Sequence, residues 1–257
     1  MRDLLSDLEA GGPLDPVERA KVLSRRELPK RFYTQVTQAP GEGGHVVLLD
    51  GRPVKTARRA PLVLPTPTLG EKVAAEWAAQ ESEIDPLTMP LTRIANVAID
   101  AVADKRDEVA DDVAAFAGND LLVYRADGPE TLVARQTALW DPVIGWAETR
   151  FQGRFRLAEG IMPVTQDAGV IARVRAALDG LPALRLAALH VTTTLTGSAL
   201  LALALMEGAR DADAVWAAAH VDEDWNIEQW GLDAEAERVR TLRRRDLDAA
   251  AVILAEA

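Results

Sequence analysis

RFYTQVTQAPGEGGHVVLLDGRPVKTARRAPLVL, residues 31 to 64, decides the fold of the first part of this chain. Short apolar runs rich in β-branched residues lie at Val36, Val46 to Leu49, Val54 and Leu62 to Leu64. The motif PGEGG, an Asp-Gly pair and the motif RRAP separate these runs. Turn residues between apolar runs are typical of β-hairpins. No Gly-Lys-Ser/Thr follows the glycines, so a hairpin turn is favoured over a phosphate-binding loop. The stretch therefore predicts an antiparallel meander of three or four strands.

A helix that covers this sheet is predicted to follow. Thr68 and Glu71 match a capping box, in which two side chains satisfy free backbone donors at a helix N-terminus. Leu69, Val73 and Trp77 recur every fourth residue and form one apolar stripe. A small antiparallel sheet needs one face covered. We therefore expect this stripe to pack on the sheet, with Trp77 as a core residue.

Beyond the segment EIDPLTMP the pattern is almost wholly helical. The two prolines of that segment indicate a boundary. They predict an N-terminal arm plus a β-rich domain with its covering helix over residues 1–88, and a helical domain over residues 89–257. The arm is predicted to hold one short helix from Pro16 to Ser24. The predicted fold class is α+β: a small N-terminal β-meander covered by a helix, followed by an all-α helical C-terminal domain of about six or seven helices.

Turn and capping residues predict the boundaries of the later helices. Asp141-Pro142 predicts a helix start with proline at the first helical position, and Asp167 predicts an N-cap. The most apolar part of the sequence predicts one long buried helix from Pro182 to Glu207. Two more helices are predicted, from Asp213 to Gln229 and from Asp233 to Ala255.

The composition excludes several classes of partner. The 257 residues are 48% hydrophobic, which is typical of a folded globular protein. Lys and Arg total 29 against 40 Asp and Glu, so the net charge is −11. An acidic surface repels the phosphates of nucleic acids and of anionic membranes. We therefore expect no nucleic-acid partner and a bias toward proteins with basic patches.

Cysteine content and the start of the chain bear on location. The chain has no cysteine, which excludes disulfides, thiolate nucleophiles and cysteine-based zinc sites and fits a reducing compartment. The start MRDLLSDLEAGGPLDPVERAK lacks the apolar core of a signal peptide and is too acidic for a mitochondrial presequence. The most apolar segment, Leu186 to Met206, is interrupted by His190, threonines and Gly197 and fits a buried helix better than a membrane span. We expect no membrane insertion and a location in a bacterial cytoplasm.

The search for catalytic residues gives one weak candidate. His220 and Glu223 lie one turn apart on a predicted helix, a spacing at which a carboxylate and an imidazole can share a metal. No matching pair lies on another predicted helix, so a solvated acidic helix is the favoured interpretation. Ser198 lies within GSALLAL and not in a nucleophile elbow. A metal-dependent hydrolase that uses His220 and nearby carboxylates is kept as an alternative.

Tryptophan provides the best candidates for partner binding. There are six tryptophans against four phenylalanines and two tyrosines. Trp77 and Trp146 continue apolar stripes and are predicted core residues. Trp225 and Trp230 lie in VDEDWNIEQWG, an acidic amphipathic helix end in which a large ring is hard to bury. For these two, burial in the core and exposure at an interface both stay open, since tryptophan is enriched at interface hot spots.

Ordered sequence motifs resemble a known family between Arg31 and about Gly231. The chain is similar to the assembly chaperones that act on the alpha subunit of the catalytic sector of F-type ATP synthase, the ATP-twelve family. The matching motifs, in order, are RFYTQV, LLDGRPVKT, LPTPTL, AAEWAAQ, MPLTRIANVAID, NDLLVYRA, ARQTALWDPVIGW, GIMPVTQ, TGSALLALAL and WNIEQWG. Each motif alone is unspecific, and their common order and spacing carry the resemblance.

The resemblance implies a chaperone and not an enzyme. It implies that the protein binds the unassembled alpha subunit, keeps it soluble and promotes assembly of the alpha/beta hexamer, without a cofactor and without ATP hydrolysis. The family is best known from mitochondria. We expect a monomer whose partner-binding residues are Glu223, Trp225, Glu228 and Trp230, with the carboxylates facing basic client groups and a tryptophan as anchor. A generic protein-binding adaptor with another partner is the remaining alternative.

Overall fold

The computed structural model describes residues 28–159 and 163–257. The described residues divide into two compact units, residues 28–32 with 80–85, and residues 33–79 with 86–159 and 163–257. In the first unit, the backbone N–H of Ile84 donates to the carbonyl of Pro29 over 2.8 Å. The helix predicted for Pro16 to Ser24 lies outside the described residues. All further elements belong to the second unit.

An antiparallel sheet is built around its second strand. The strands are β1 (Val36–Gly41), β2 (Gly44–Leu49), β3 (Arg52–Pro53) and β4 (Val63–Leu64). Strand β1 pairs with β2 along its whole length, while β3 and β4 both pair with the other edge of β2. The predicted antiparallel strands are confirmed. In addition, β4 pairs with β2 beside β3, so the loop between β3 and β4 returns the chain to the same edge of the sheet.

Glycine is required in the turn between β1 and β2. Gly43 has a φ of +82°, a left-handed conformation that favours glycine. A Cβ added at Gly44 would collide with the backbone carbonyl oxygen of Leu64 on the neighbouring strand. The motif PGEGG is therefore a turn that also permits close approach of β4.

The helix that covers the sheet, α1 (Pro67–Ala78), begins one residue before the predicted capping box, and its N-cap is Thr66. The hydroxyl of Thr66 accepts a hydrogen bond from the backbone N–H of Leu69 over 3.3 Å. Pro67 occupies the first helical position, where its missing N–H costs nothing. The predicted cap at Thr68 is wrong because Pro67 fixes the start of the helix one residue earlier.

The apolar stripe of α1 faces the sheet as predicted. Leu69 and Val73 are buried, and Trp77 is partly buried. The Trp77 ring packs edge-on against Tyr33 with 5.8 Å between ring centroids. The Tyr33 hydroxyl donates a hydrogen bond to the carbonyl of Trp77 over 2.8 Å. These contacts join the helix to the chain that enters the sheet.

The rest of the chain is mainly helical, which confirms the predicted fold class. The helices are α2 (Pro90–Val97), α3 (Arg106–Gly118), α4 (Glu130–Arg150), α5 (Ala168–Ala176), α6 (Ala183–Thr196), α7 (Ala199–Met206), α8 (Ala212–Ala219), α9 (Val221–Trp230) and α10 (Ala234–Glu256). Short 3₁₀ helices span Pro86–Thr88 and Leu121–Val123, and a π-helix spans Ala98–Val102. A parallel pair of two-residue strands, β5 (Tyr124–Arg125) and β6 (Ala158–Glu159), was not predicted, because such short strands carry no sequence period.

Several predicted helix boundaries are wrong. Helix α4 begins at Glu130 and contains Pro142 in its interior, because the buried side chains on both sides of the proline, among them Trp140 and Val143, keep the helix packed. The predicted long helix is divided at Gly197, whose φ of +68° ends α6. Ser198 then caps α7 by accepting from the N–H of Leu201 over 3.0 Å.

Two helix starts follow the sequence signals, and one further predicted helix is divided. Asp167 caps α5 and Asp233 caps α10, each by accepting a hydrogen bond from a backbone N–H three residues later. The predicted helix from Asp213 to Gln229 is divided at His220, which ends α8 and precedes α9.

Among the described residues, no helix combines the length and hydrophobicity needed to cross a membrane.

Two carboxylates, the partly buried Glu76 and the fully buried Asp120, connect elements that are distant in sequence. The carboxylate of Glu76 on α1 accepts the backbone N–H groups of Leu91 and Thr92 at the start of α2, over 2.7 and 2.8 Å. Asp120 is fully buried and accepts from the N–H of Leu122 over 3.1 Å and of Leu200, in the first turn of α7, over 3.0 Å. Burial raises the pKa of Asp120 to about 6, although these donors favour the charged form.

The predicted domain boundary between residues 88 and 89 stays a prediction.

Candidate protein-interaction site

The four predicted partner-binding residues all lie on α9. This helix is polar, and only Val221 among its residues is buried. Asp222, Glu223 and Asp224 form its first turn, where negative charge is stabilised by the helix dipole. A helix with one buried residue gains little from apolar packing, so its attachment to the rest of the protein depends on polar contacts.

His220 is a structural residue at the junction of α8 and α9. Its side chain is buried, its ring stacks on Trp216 with 3.7 Å between centroids, and its Nδ1 bonds with the Trp216 carbonyl over 2.9 Å. Burial lowers the pKa of the imidazole, so the ring is neutral at pH 7. The distance from its Nε2 to the nearer carboxylate oxygen of Glu223 is 3.8 Å. In residues 28–159 and 163–257, no group of three or more His, Asp or Glu side chains is placed to hold a metal ion.

Arg240 attaches the first turn of α9 to α10. Its Nη1 lies 3.1 Å from the Glu223 carboxylate, and its Nη2 donates to Asp224. The same guanidinium lies over the ring of Trp216, 5.2 Å from the ring centroid. Its side chain is only 18% exposed, so the ion pairs are partly shielded from water. Arg240 is therefore the main electrostatic anchor at the start of α9.

The outer part of α9 is attached to α4. Arg135 donates two hydrogen bonds to the Glu228 carboxylate, over 2.7 and 2.6 Å. The amide of Gln136 donates to Asp222 over 2.7 Å. The bond from Arg135 lowers the pKa of Glu228. Both partners of the Arg135–Glu228 pair are exposed, so a competing cation can reach the carboxylate.

Sequence reasoning missed both arginines that pair with α9. Arg135 lies 93 residues before Glu228, and Arg240 lies in the following helix. Neither position carries a local signal that could have identified its partner. The carboxylates predicted to face client cations are thus already paired within the protein.

Trp230 differs from the other tryptophans because it is 84% exposed. It ends α9, and Gly231 with a φ of +81° turns the chain away. Leu232 and Val239, shortly after it, are also exposed apolar residues. Trp225 is partly buried. Trp230 therefore takes no part in the core, and an exposed ring of this size is a suitable interface anchor.

Comparison with known proteins gives consistent results. A family described as ATP12 chaperone protein matches residues 30–148. The crystal structure of Atp12 from Paracoccus denitrificans is 42% identical, with a TM-score of 0.80, covering 88% of this chain and 97% of that chain. A point mutant of the same protein gives 41% identity and the same TM-score. A provisionally assigned chaperone from Agrobacterium tumefaciens is 46% identical, with a TM-score of 0.84, covering 99% of this chain and 96% of the other.

Proposed function

Because this chain belongs to the ATP12 chaperone family, we propose that it binds the unassembled alpha subunit of the ATP synthase catalytic sector. In this proposal the protein keeps the subunit soluble and promotes assembly of the alpha/beta hexamer, without a cofactor. The observation that carries the proposal is similarity to Atp12 along nearly the whole chain. Both solved relatives come from bacteria, which supports a bacterial cytoplasmic location.

The chemistry of the task fits the exposed end of α9. An unassembled subunit exposes an apolar interface, which promotes aggregation. A chaperone must cover that interface and later release it to the true partner. Trp230 offers a large ring that is already exposed, so binding would not require the chaperone to unfold. We assign Trp230 as the anchor and Trp225 as a flanking contact.

Glu223 and Glu228 would contribute to client binding by exchanging an arginine of their own chain for a cationic group of the client. Each is paired with an arginine of its own chain, Arg240 or Arg135. A cationic client group could replace Arg135 at Glu228 at small cost, since exposed ion pairs contribute little to stability. The same small difference would make release easy. Such exchange would set partner choice and association rate, while the tryptophan supplies affinity.

An aggregation assay tests the proposed function. Denatured alpha subunit is diluted with and without the protein, and soluble complex is isolated by gel filtration. We expect suppressed aggregation and a defined complex with the alpha subunit, and neither with the beta subunit. Equal protection of both subunits would support the generic adaptor. No protection and no complex would reject the assignment of the alpha subunit as client.

The anchor is tested by Trp230→Ala in the same assay. Because the ring is exposed, the variant should keep its thermal stability and lose client capture. Leu157→Ala, at an exposed apolar residue outside α9, is the matched control and should behave as wild type. Full capture by Trp230→Ala would show that the anchor lies elsewhere.

A further inference from the structure

A basic segment begins in β3 and continues into the loop that leads to β4. We define it as Arg52, Lys55, Arg58 and Arg59, all four of which are exposed. Four cations within eight residues are notable in a chain of net charge −11. Within the described part of the chain, none of these side chains forms an ion pair with a carboxylate, in contrast to the arginines around α9.

The fold presents these cations outward and holds their backbone in place. Val54 and Thr56 are buried and alternate with Lys55, so the lysine side chain faces away from the core. The Thr56 hydroxyl donates to Asp100 over 2.6 Å, and the backbone N–H of Arg58 donates to the same carboxylate over 3.0 Å. Asp100 therefore accepts hydrogen bonds from a threonine and from the backbone of the segment. The guanidinium groups of the segment stay in solvent.

Arg59 provides a second, independent observation. Its φ is +68°, in the left-handed region that favours glycine. Its backbone N–H donates to the carbonyl of Thr56 over 2.9 Å, and Thr56 N–H donates to the carbonyl of Ala60 over 2.9 Å. Glycine would close this tight loop without strain. An exposed arginine held in such a conformation indicates a role for its side chain, because strained backbone is concentrated at functional sites.

We propose that the basic segment is a second client-contact surface that binds an acidic segment of the client polypeptide. The proposal rests on the proposed function and deepens it, since it adds a contact remote in sequence from α9. A polyanion such as nucleic acid or an anionic bilayer would extend past the segment and meet the remaining surface, which is more acidic still. A short acidic stretch of a protein needs complementarity only at the segment itself. The chaperone would then orient its client through two surfaces of opposite charge.

The test compares R58Q/R59Q with wild type in binding to the alpha subunit by stopped-flow fluorescence at low and high salt. The matched control K72Q/R154Q removes two exposed positive charges elsewhere, one from α1 and one from a side chain that is 91% exposed. The variant R58K/R59K keeps the charge. We expect R58Q/R59Q to associate about tenfold more slowly at low salt and with a weaker salt dependence. The control and R58K/R59K should match wild type.

Each other result overturns the proposal in a distinct way. Equal rates and salt dependence for wild type and R58Q/R59Q would reject the basic segment while leaving the chaperone function in place. Absence of binding by wild type would reject the proposed function and with it this inference. Binding of wild type, but not R58Q/R59Q, to vesicles of phosphatidylglycerol, together with unchanged client association, would make the segment a membrane contact instead.

Discussion

Helix α9 and the basic segment carry opposite charges, and they differ in whether those charges form ion pairs within the described part of the chain. On α9, Glu223 and Glu228 are paired with Arg240 and Arg135 of the same chain. In the basic segment, the arginine and lysine heads face solvent. The acidic helix was the conspicuous feature of the sequence, yet two arginines pair with three of its four carboxylates. A count of charged residues along a chain therefore does not give the charge that a partner meets.

The two regions also differ in how they are supported. Helix α9 has one buried residue and is held by ion pairs to α4 and α10. The basic segment is held by backbone hydrogen bonds and by Asp100. Ion pairs at the surface are screened by salt, whereas backbone hydrogen bonds are not. We therefore expect α9 to be the more adjustable surface and the basic segment the more rigid one.

The largest expected effect concerns the packing of α4, to which α9 is attached, against α8. Trp140 is fully buried in α4, and its Nε1 donates to the carbonyl of Ala218 in α8 over 2.7 Å. Trp140→Ala should lower the free energy of unfolding by about 3–5 kcal/mol, because it leaves a large cavity and an unpaired carbonyl. Urea unfolding followed by circular dichroism measures the change. A loss below about 1 kcal/mol would contradict the assignment of this ring to the core.

Asp120 adds a third case, a carboxylate that accepts hydrogen bonds from backbone N–H groups and, among the described residues, forms no ion pair with a cation. Its folded-state pKa of about 6 lies above the usual value of 3.8. The folded state therefore holds a proton that the unfolded state releases, and this stability is present below pH 4 and lost as the pH rises through 6. The difference is on the order of 3 kcal/mol.

The pH dependence is checked by comparing wild type with Asp120→Asn. The side chain of the variant cannot ionise. As the pH rises from 4 to 7, the free energy of unfolding of wild type should therefore fall relative to that of the variant. Other titrating groups are common to both proteins and cancel in the difference. A difference that does not change between these pH values would show that Asp120 is not the group responsible.

An intermediate effect distinguishes the two anchors of α9. Arg240→Ala should cost about 2 kcal/mol, since it removes a charged hydrogen bond to Asp224 and an ion pair with Glu223 that are partly shielded from water. Arg135→Ala breaks an exposed pair, so its cost should be clearly smaller than that of Arg240→Ala and should decrease with added salt. Thermal unfolding at low and high ionic strength measures both. Equal costs would mean that shielding by Trp216 contributes nothing.

The smallest effect is expected in the basic segment. R58Q/R59Q removes side chains without ion-pair partners among the described residues, so its stability should stay within about 0.5 kcal/mol of wild type. Urea unfolding provides the value. A clear loss of stability would indicate that the arginines support the loop, and would make their role structural rather than one of recognition.

Local signals in the sequence predicted local features correctly. Asp233 caps a helix, the glycines before His45 form a turn, and the stripe from Leu69 to Trp77 faces the sheet, because each depends on residues a few positions apart. The cap at Thr68 was misplaced because a threonine also precedes Pro67, and a capping motif alone did not separate the two positions.

Features that depend on distant residues were not predictable. Pro142 lies inside α4 because buried neighbours outweigh the hydrogen bond that proline removes. The pairing of Arg135 with Glu228 and the burial of Asp120 against Leu200 arise only when remote helices pack together. The exposure of Trp230 could be suspected from its acidic surroundings, whereas its separation from the core required the structure.

The most direct test of the account is hydrogen exchange of the protein, measured by mass spectrometry with and without the alpha subunit. We predict slower exchange in two segments, residues 221–230 and residues 52–59, with the beta subunit as a control that leaves both unchanged. Formation of a complex with no slowing in either segment would contradict the account, because both proposed surfaces would then lie outside the contact.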